Sequence, residues 1–244
     1  MGTERAYAKL TLSLRVLGAR ADGYHLIDAE MVSIDLADEL EFSDGDAFAV
    51  EGLAVPGGGD NLVLRALRAV GRTASVRLHK RIPAGAGLGG GSADAAAVLR
   101  WAGRGDDVAL AATLGADVPF CLRGGRARVA GIGELITPLP CRAGSAYTLL
   151  TPPLHVSTAA VYRAWDELGG PTGEANDLEP AALAVVPALA RSRDALGEAT
   201  GEAPRLAGSG STWFVPGAFP AVAGATVVRT VCPGQAASPT SMTG

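Results

Sequence analysis

One stretch limits this chain more than any other: KRIPAGAGLGGGSADAAAVL, residues 80–99. Five of the seven positions from Gly85 to Gly91 are glycine, and an alanine-rich run follows. Glycine loses more conformational freedom on folding than any other residue, so this density is costly unless bare backbone is needed there. Just before it, ASVRLHKRI (74–82) alternates apolar and polar residues like a half-buried strand and stops at Pro83. A strand, a glycine loop and a helix N-terminus together make an anion site. Several N–H groups can converge on one phosphate, and the helix dipole adds positive potential.

Two well-known phosphate loops fail on their chemistry. A Walker A loop ends in Lys-Ser or Lys-Thr, and the lysine meets the β- and γ-phosphates. Here the loop ends in Gly91-Ser92 with no lysine. Gly85, Gly87 and Gly90 do satisfy G-x-G-x-x-G, and Asp106 stands near the distance of a ribose-binding acid. That fingerprint opens a βαβ repeat, however, and no such repeat follows.

The rest of the chain narrows the class. Its 244 residues suffice for one large domain or two modest ones. A net charge of −4 without any lysine-rich tract argues against a general nucleic-acid binder. No apolar run reaches membrane-spanning length, and MGTERAYAKLTLSLRV lacks a basic region leading into an unbroken apolar one. A reduced, cytoplasmic location is therefore expected. Cysteines at 121, 141 and 232 are odd in number and widely spaced, which argues against a disulfide framework. With His25, His79 and His155 they build no C-x-x-C or H-E-x-x-H zinc pattern.

Along the chain, LTLSLRV (10–16) reads as a half-buried strand and MVSIDLADELEF (31–42) as strand, turn, strand. AFAVEGL (48–54) reads as a short strand and PGGGDN (56–61) as a turn. Asp60 or Asn61 then caps the helix NLVLRALRAV. A helix is expected from Ser92 to Trp101, another over 106–115, and a corner at Pro119. RARVAGIGELITPL carries two strand-like pieces. PLPCRAG (138–144) has turn residues and no period, so it is the candidate domain boundary, with AYTLLTP beyond it as a strand. VSTAAVYRAWDEL is an amphipathic helix capped by Ser157 or Thr158. A helical run broken at Pro187 follows, then closing strands in RLAGSGSTWFVPG and ATVVRTV. The tail from Gly234 is expected to be loose. Helices and strands mix without a βαβ rhythm, so the class is α+β.

Pro83-Ala84-Gly85-Ala86-Gly87-Leu88-Gly89-Gly90-Gly91-Ser92-Ala93-Asp94-Ala95 closely resembles the phosphate loop of the galactokinase, homoserine kinase, mevalonate kinase and phosphomevalonate kinase superfamily. AYAKLTLSL (6–14), ADGYH (21–25), LGADVPFCL (114–122), GIGE (131–134) and AGSGSTWFV (207–215) occur in the order found in one branch of it. That branch is the 4-diphosphocytidyl-2-C-methyl-D-erythritol kinase family, and the resemblance covers nearly the whole chain. ADGYH and GADVPF are its specific parts; the glycine loop alone points only to the superfamily.

The resemblance implies an N-terminal ribosomal-protein-S5-like domain over 1–142 and a C-terminal ferredoxin-like domain over 143–244, with the active-site cleft between them. It implies ATP-dependent phosphorylation of the 2-hydroxyl of the cytidylated methylerythritol, in the non-mevalonate isoprenoid pathway, by a monomer or weak homodimer. The same fold also serves other small alcohols such as homoserine or mevalonate, and a non-catalytic nucleotide-binding relative is a third possibility.

Phosphoryl transfer needs a positioned hydroxyl, a proton acceptor and cationic groups around the phosphate. The resemblance makes Asp117 the base and Lys9 its partner; otherwise they read as a turn-former and a solvated strand residue. It assigns Tyr24 and His25 to a cytidine pocket closed by Tyr162, with Thr158 nearby. As a plain pattern Tyr162 reads equally well as core. Around ATP it implies Asn61 and Lys80 near the adenine and Gly85 to Ser92, entered through Pro83 and Ala84, around the phosphates. Their plainer readings are helix cap and strand-surface lysine. Ser92 is the one residue implied near Mg²⁺. Gly208, Ser209 and Gly210 belong to a third glycine loop closing over the substrate. Thr11 stands where the family commonly has Asn, so a hydroxyl replaces an amide there. The chain is also shorter than most relatives, with the loss expected between Asp166 and Arg205.

Overall fold

A computed structural model describes residues 1–54, 60–170 and 172–233. Most of the expected turn at 56–61 and the whole tail from Gly234 lie outside these residues.

A long hairpin opens the chain: β1 (Gly2–Ala19) pairs antiparallel with β2 (His25–Ser43). The turn expected inside 31–42 is instead a bulge in one continuous strand. Tyr7 pairs with Ala37, but Lys9 pairs with Ser33. Asp35 falls in the bulge, whereas Asp38 keeps regular register opposite Ala6 and ends fully buried, its carboxylate accepting the backbone N–H groups of Arg81 and Ile82. β3 (Phe48–Gly52), α1 (Leu62–Ala69), β4 (Ser75–Lys80), α2 (Gly90–Trp101) and α3 (Val108–Leu114) follow. The corner expected at Pro119 is a short helix, α4 (Val118–Arg123). Proline suits its first turn, where the missing N–H has no helical partner to lose. β5 (Arg126–Gly131) and β6 (Leu135–Leu139) complete a six-stranded sheet ordered β3-β4-β2-β5-β6, with β1 also on β2. Among the described strands, only β3 and β4 run parallel.

A second sheet begins at β7 (Ala146–Leu150), followed by α5 (Thr158–Glu167), α6 (Glu179–Val185) and α7 (Leu189–Thr200). β8 (Arg205–Leu206), β9 (Trp213–Pro216) and β10 (Ala225–Arg229) close it in the antiparallel order β10-β7-β9-β8. This is the expected α+β class.

The alanines of α2 explain its place. Ala93, Ala95, Ala96 and Ala97 are all buried, and the helix packs on β1, α1 and α4. Small side chains let these backbones approach closely, so the glycine loop at the head of α2 is fixed to a close-packed element.

The cysteine reading needs correction. Cys141 and Cys232 form a disulfide, and only Cys121 is free and buried. β10 runs beside β7, so its far end returns to the segment that precedes β7. A separation of 91 positions in sequence is therefore no separation in space. The expectation that these cysteines form no disulfide therefore fails for this pair.

Candidate active site

Residues 83–87 and 89–92 line a cleft of about 870 Å³, a volume suited to a small-molecule ligand. Two glycines show why the loop needs bare backbone. Gly89 caps α2 with φ +68, a left-handed conformation, and a Cβ there would stand 2.8 Å from Cγ of Lys9. Gly87 has φ +75, and a Cβ would meet the carbonyl of Gly210 at 2.8 Å. Leu88 points the other way, 1% exposed, while its carbonyl accepts the Lys9 backbone N–H at 3.0 Å. α2 starts directly behind the loop, leaving the unpaired N–H groups of its first turn at the cleft wall.

Lys9 sits between the two glycine loops. Its side chain is 5% exposed, and Nζ lies 3.3 Å from Oδ2 of Asp117. Nζ also donates to Oγ1 of Thr11 at 3.1 Å. The β-bulge just before Lys9 lets it turn into the cleft although Ala8 and Leu10 on either side are also buried. Asp117 precedes α4 but makes no capping hydrogen bond with its side chain. Its carboxylate, 31% exposed, faces Lys9 and the cleft instead. The Asp117 side chain is thus not engaged in capping the helix it precedes.

Lys80 has a different setting from the one the resemblance implies. Its side chain is 2% exposed, and Nζ donates to Oδ2 of Asp38 at 2.5 Å and Oδ2 of Asp94 at 2.7 Å. It is not among the residues lining the cleft. Burial first, and then the Asp38 carboxylate, push Asp94 up to about 7 against the pull of Lys80. Asn61 likewise acts as a helix cap, its Oδ1 accepting the N–H of Val63 at 2.9 Å, and does not line the cleft.

The aromatic group gathers in the same cleft. His25 and Tyr162 lie against each other with centroids 4.7 Å apart and planes tilted by 30°, and Trp165 meets His25 edge-on at 5.7 Å. Nε2 of His25 is 2.8 Å from Oδ1 of Asp166. Tyr24 stands 59% exposed at the rim. Burial, and then the nearby Asp117 carboxylate, hold the Tyr162 phenol above its ordinary value. Tyr162 thus lies near Asp117, on the cleft wall rather than wholly in the core. Ser157 caps α5 with its hydroxyl, leaving Thr158 free to meet Oγ of Ser209 at 2.9 Å. Gly208 and Ser209 line the cleft; Gly210 packs on Leu206 behind it.

Asn176 and Asp166 were not found from the sequence. Asn176 donates to the carbonyls of Leu206 at 2.9 Å and Gly208 at 2.7 Å, and so shapes the third glycine loop. No pattern marks it. Asp166 did leave a signal: Thr158, Tyr162 and Asp166 are spaced by four, on one face of α5.

Known proteins complete the picture. Residues 61–125 match the family described as GHMP kinases N terminal domain. The chain is 39% identical, over 98% of each chain, to a 4-diphosphocytidyl-2-C-methyl-D-erythritol kinase from Cereibacter sphaeroides. Their alignment spans 275 positions, more than the 244 residues here, so that relative carries inserted segments. A kinase of the same name from Pelotomaculum thermopropionicum is 42% identical over 87% of this chain and 88% of its own. A solved 4-(cytidine 5'-diphospho)-2C-methyl-D-erythritol kinase superposes with TM-score 0.76 at 33% identity, over 94% of this chain and 99% of that one. A homoserine kinase from Cytophaga hutchinsonii, 19% identical with TM-score 0.60 over 95% of each chain, shares the fold. With such identity over nearly its whole length, the chain belongs to the 4-diphosphocytidyl-2-C-methyl-D-erythritol kinase family.

Proposed function

We propose that this ATP-dependent kinase transfers the γ-phosphoryl group of ATP to the 2-hydroxyl of 4-diphosphocytidyl-2-C-methyl-D-erythritol, within the non-mevalonate route to isoprenoid precursors. The observation that carries this reading is the Lys9–Asp117 pair, 3.3 Å apart, set in a cleft between two glycine loops. Asp117 accepts the hydroxyl proton as the oxygen attacks phosphorus. The bond from phosphorus to the β–γ bridging oxygen breaks, and its electron pair leaves with ADP. The Lys9 ammonium keeps Asp117 ionised and offsets charge on the transferring phosphoryl group. Backbone N–H groups of residues 85–92 hold the phosphates.

Tyr24, His25 and Tyr162 supply faces and edges for a cytosine base, with Thr158, Ser209 and Thr11 as hydroxyl contacts. Among the described residues no group of three acidic, histidine or cysteine side chains could cage a metal. Mg²⁺ keeps several waters and binds chiefly through nucleotide phosphates, so the single hydroxyl of Ser92 is a sufficient protein contribution. When bound, it neutralises phosphate charge. The same reading divides the protein into an ATP-binding unit (1–142) and a second unit (143–244). It makes the protein a cytoplasmic monomer or weak homodimer, with no nucleic-acid partner for its net charge of −4.

The test is ATP consumption with Mg²⁺, offering the cytidylated methylerythritol beside homoserine and mevalonate. Turnover of the first alone supports the reading. Turnover of another alcohol, or ATP binding with no turnover at all, overturns it.

A further inference from the structure

We propose that Asp38, Lys80 and Asp94 form a buried clamp that positions the phosphate-binding loop, and that Lys80 serves ATP through this clamp rather than by touching the nucleotide. The inference rests on the reading that residues 85–92 hold ATP phosphates.

The geometry brackets that loop at both ends. At its entrance, Oδ1 of Asp38 accepts the backbone N–H groups of Arg81 at 2.5 Å and Ile82 at 2.8 Å, fixing the last residues before Pro83. At its exit, Asp94 lies in the second turn of α2 and is 3% exposed. Lys80 joins the two, with its ammonium on Oδ2 of both carboxylates. One cluster thus ties the end of β4 to the head of α2, and the intervening loop spans a fixed gap. A Cβ on Gly90 would stand 3.0 Å from Nζ of Lys80, so the clamp lies directly beneath the loop backbone. Burying three ionisable groups is expensive, and hydrophobic replacements of such clusters are often as stable or more so. Global stability is therefore a poor account of this cluster, whereas a loop that must aim several N–H groups at one phosphate gains directly from rigid ends.

Oδ1 of Asp94 is buried and has no hydrogen-bond partner. Only its Oδ2 is used, so an asparagine can keep the same contact with Lys80 through its amide oxygen.

Binding of ATP and of adenosine should be measured for wild type, Asp94→Ala and Asp94→Asn, with thermal melts confirming folding. Adenosine carries no phosphate, so it separates the loop from the base pocket. If the clamp positions the loop, Asp94→Ala weakens ATP tenfold or more and lowers kcat, while adenosine changes less than twofold. Asp94→Asn recovers ATP affinity to within threefold. Equal loss of ATP and adenosine in a folded variant, or unchanged ATP affinity and kcat in Asp94→Ala, overturns the proposal. Should Asp94→Ala not fold, Asp38→Asn carries the same comparison with the same criteria. Wild type that binds no ATP would sink both this proposal and the kinase reading. ATP binding without turnover of the cytidylated alcohol would sink the substrate assignment alone.

Discussion

Two lysine–aspartate clusters flank one glycine loop, and they differ mainly in their access to water. Lys9 meets Asp117 at 3.3 Å where the carboxylate is 31% exposed and faces the cleft. Lys80 meets Asp38 and Asp94 at 2.5 and 2.7 Å where all three side chains are sealed. The first cluster keeps an open side, so its carboxylate can receive a proton from outside the protein. The second has spent every donor of its ammonium on the fold's own geometry, apart from one hydrogen. The same residue types can serve chemistry or architecture, and the deciding quantity is whether an oxygen faces a ligand.

That contrast can be broken most forcefully at Asp117. Asp117→Asn should lower kcat by roughly 10²–10⁴-fold while ATP affinity stays close to wild type. Steady-state kinetics beside ATP titration would show it, and retention of most of the rate would take Asp117 out of the base role. Removing one partner alone from the sealed cluster should also cost stability, because the charges left behind stay buried. Lys80→Met leaves buried carboxylates unpaired and should cost about 3–5 kcal/mol in denaturant unfolding. A loss under about 1 kcal/mol would mean that water reaches the cluster after all.

Smaller effects sharpen the comparison. Tyr24→Ala should weaken the cytidylated substrate by about 1–3 kcal/mol, the usual worth of one aromatic–base stack, and leave ATP almost unchanged. Equal weakening of both would make Tyr24 a structural residue. The smallest effect is a pH slope. Burial raises Asp94 to about 7, so the folded protein holds a proton that the unfolded chain releases in the ordinary carboxylate range. The stability from this group is full at low pH and is lost as pH rises to about 7. Asp94→Asn cannot titrate, so it should flatten that part of the unfolding profile. An unchanged profile would place the proton elsewhere.

Much of the site could be read from local sequence, because local sequence builds it. The glycine loop, Lys9 and Asp117 each sit in a contiguous motif. α1, α5 and the strand before the loop follow from period and caps. What could not be read was set by tertiary pairing. Asp38 reaches Lys80 across 42 positions and Asn176 reaches Gly208 across 32, and no period or turn rule joins such pairs. Lys80 looked like a surface residue because an alternating strand does not show which face a helix will cover. β2 reads as broken from sequence because Asp35 and Asp38 look like turn residues; in the fold a bulge takes up Asp35, and Asp38 stays in the ladder opposite Ala6.

The Cys141–Cys232 bridge marks one of the places where the second sheet is joined to the first. Residues 142–145 carry the chain into the second sheet and residues 229–232 carry it out, and these segments are laced together. Thr230 donates to the carbonyl of Ser145 at 2.9 Å and, through Oγ1, to that of Arg142 at 2.6 Å. Beside them, Val231 donates to the carbonyl of Ser33 at 2.9 Å. Entrance and exit are thus one strip of backbone sewn to β2. A second tie stands at β1, where Leu14 donates to the carbonyl of Ala175 at 3.0 Å and accepts from the N–H of Asp177 at 2.9 Å, so the chain beyond β7 is held to the first sheet along two edges rather than one.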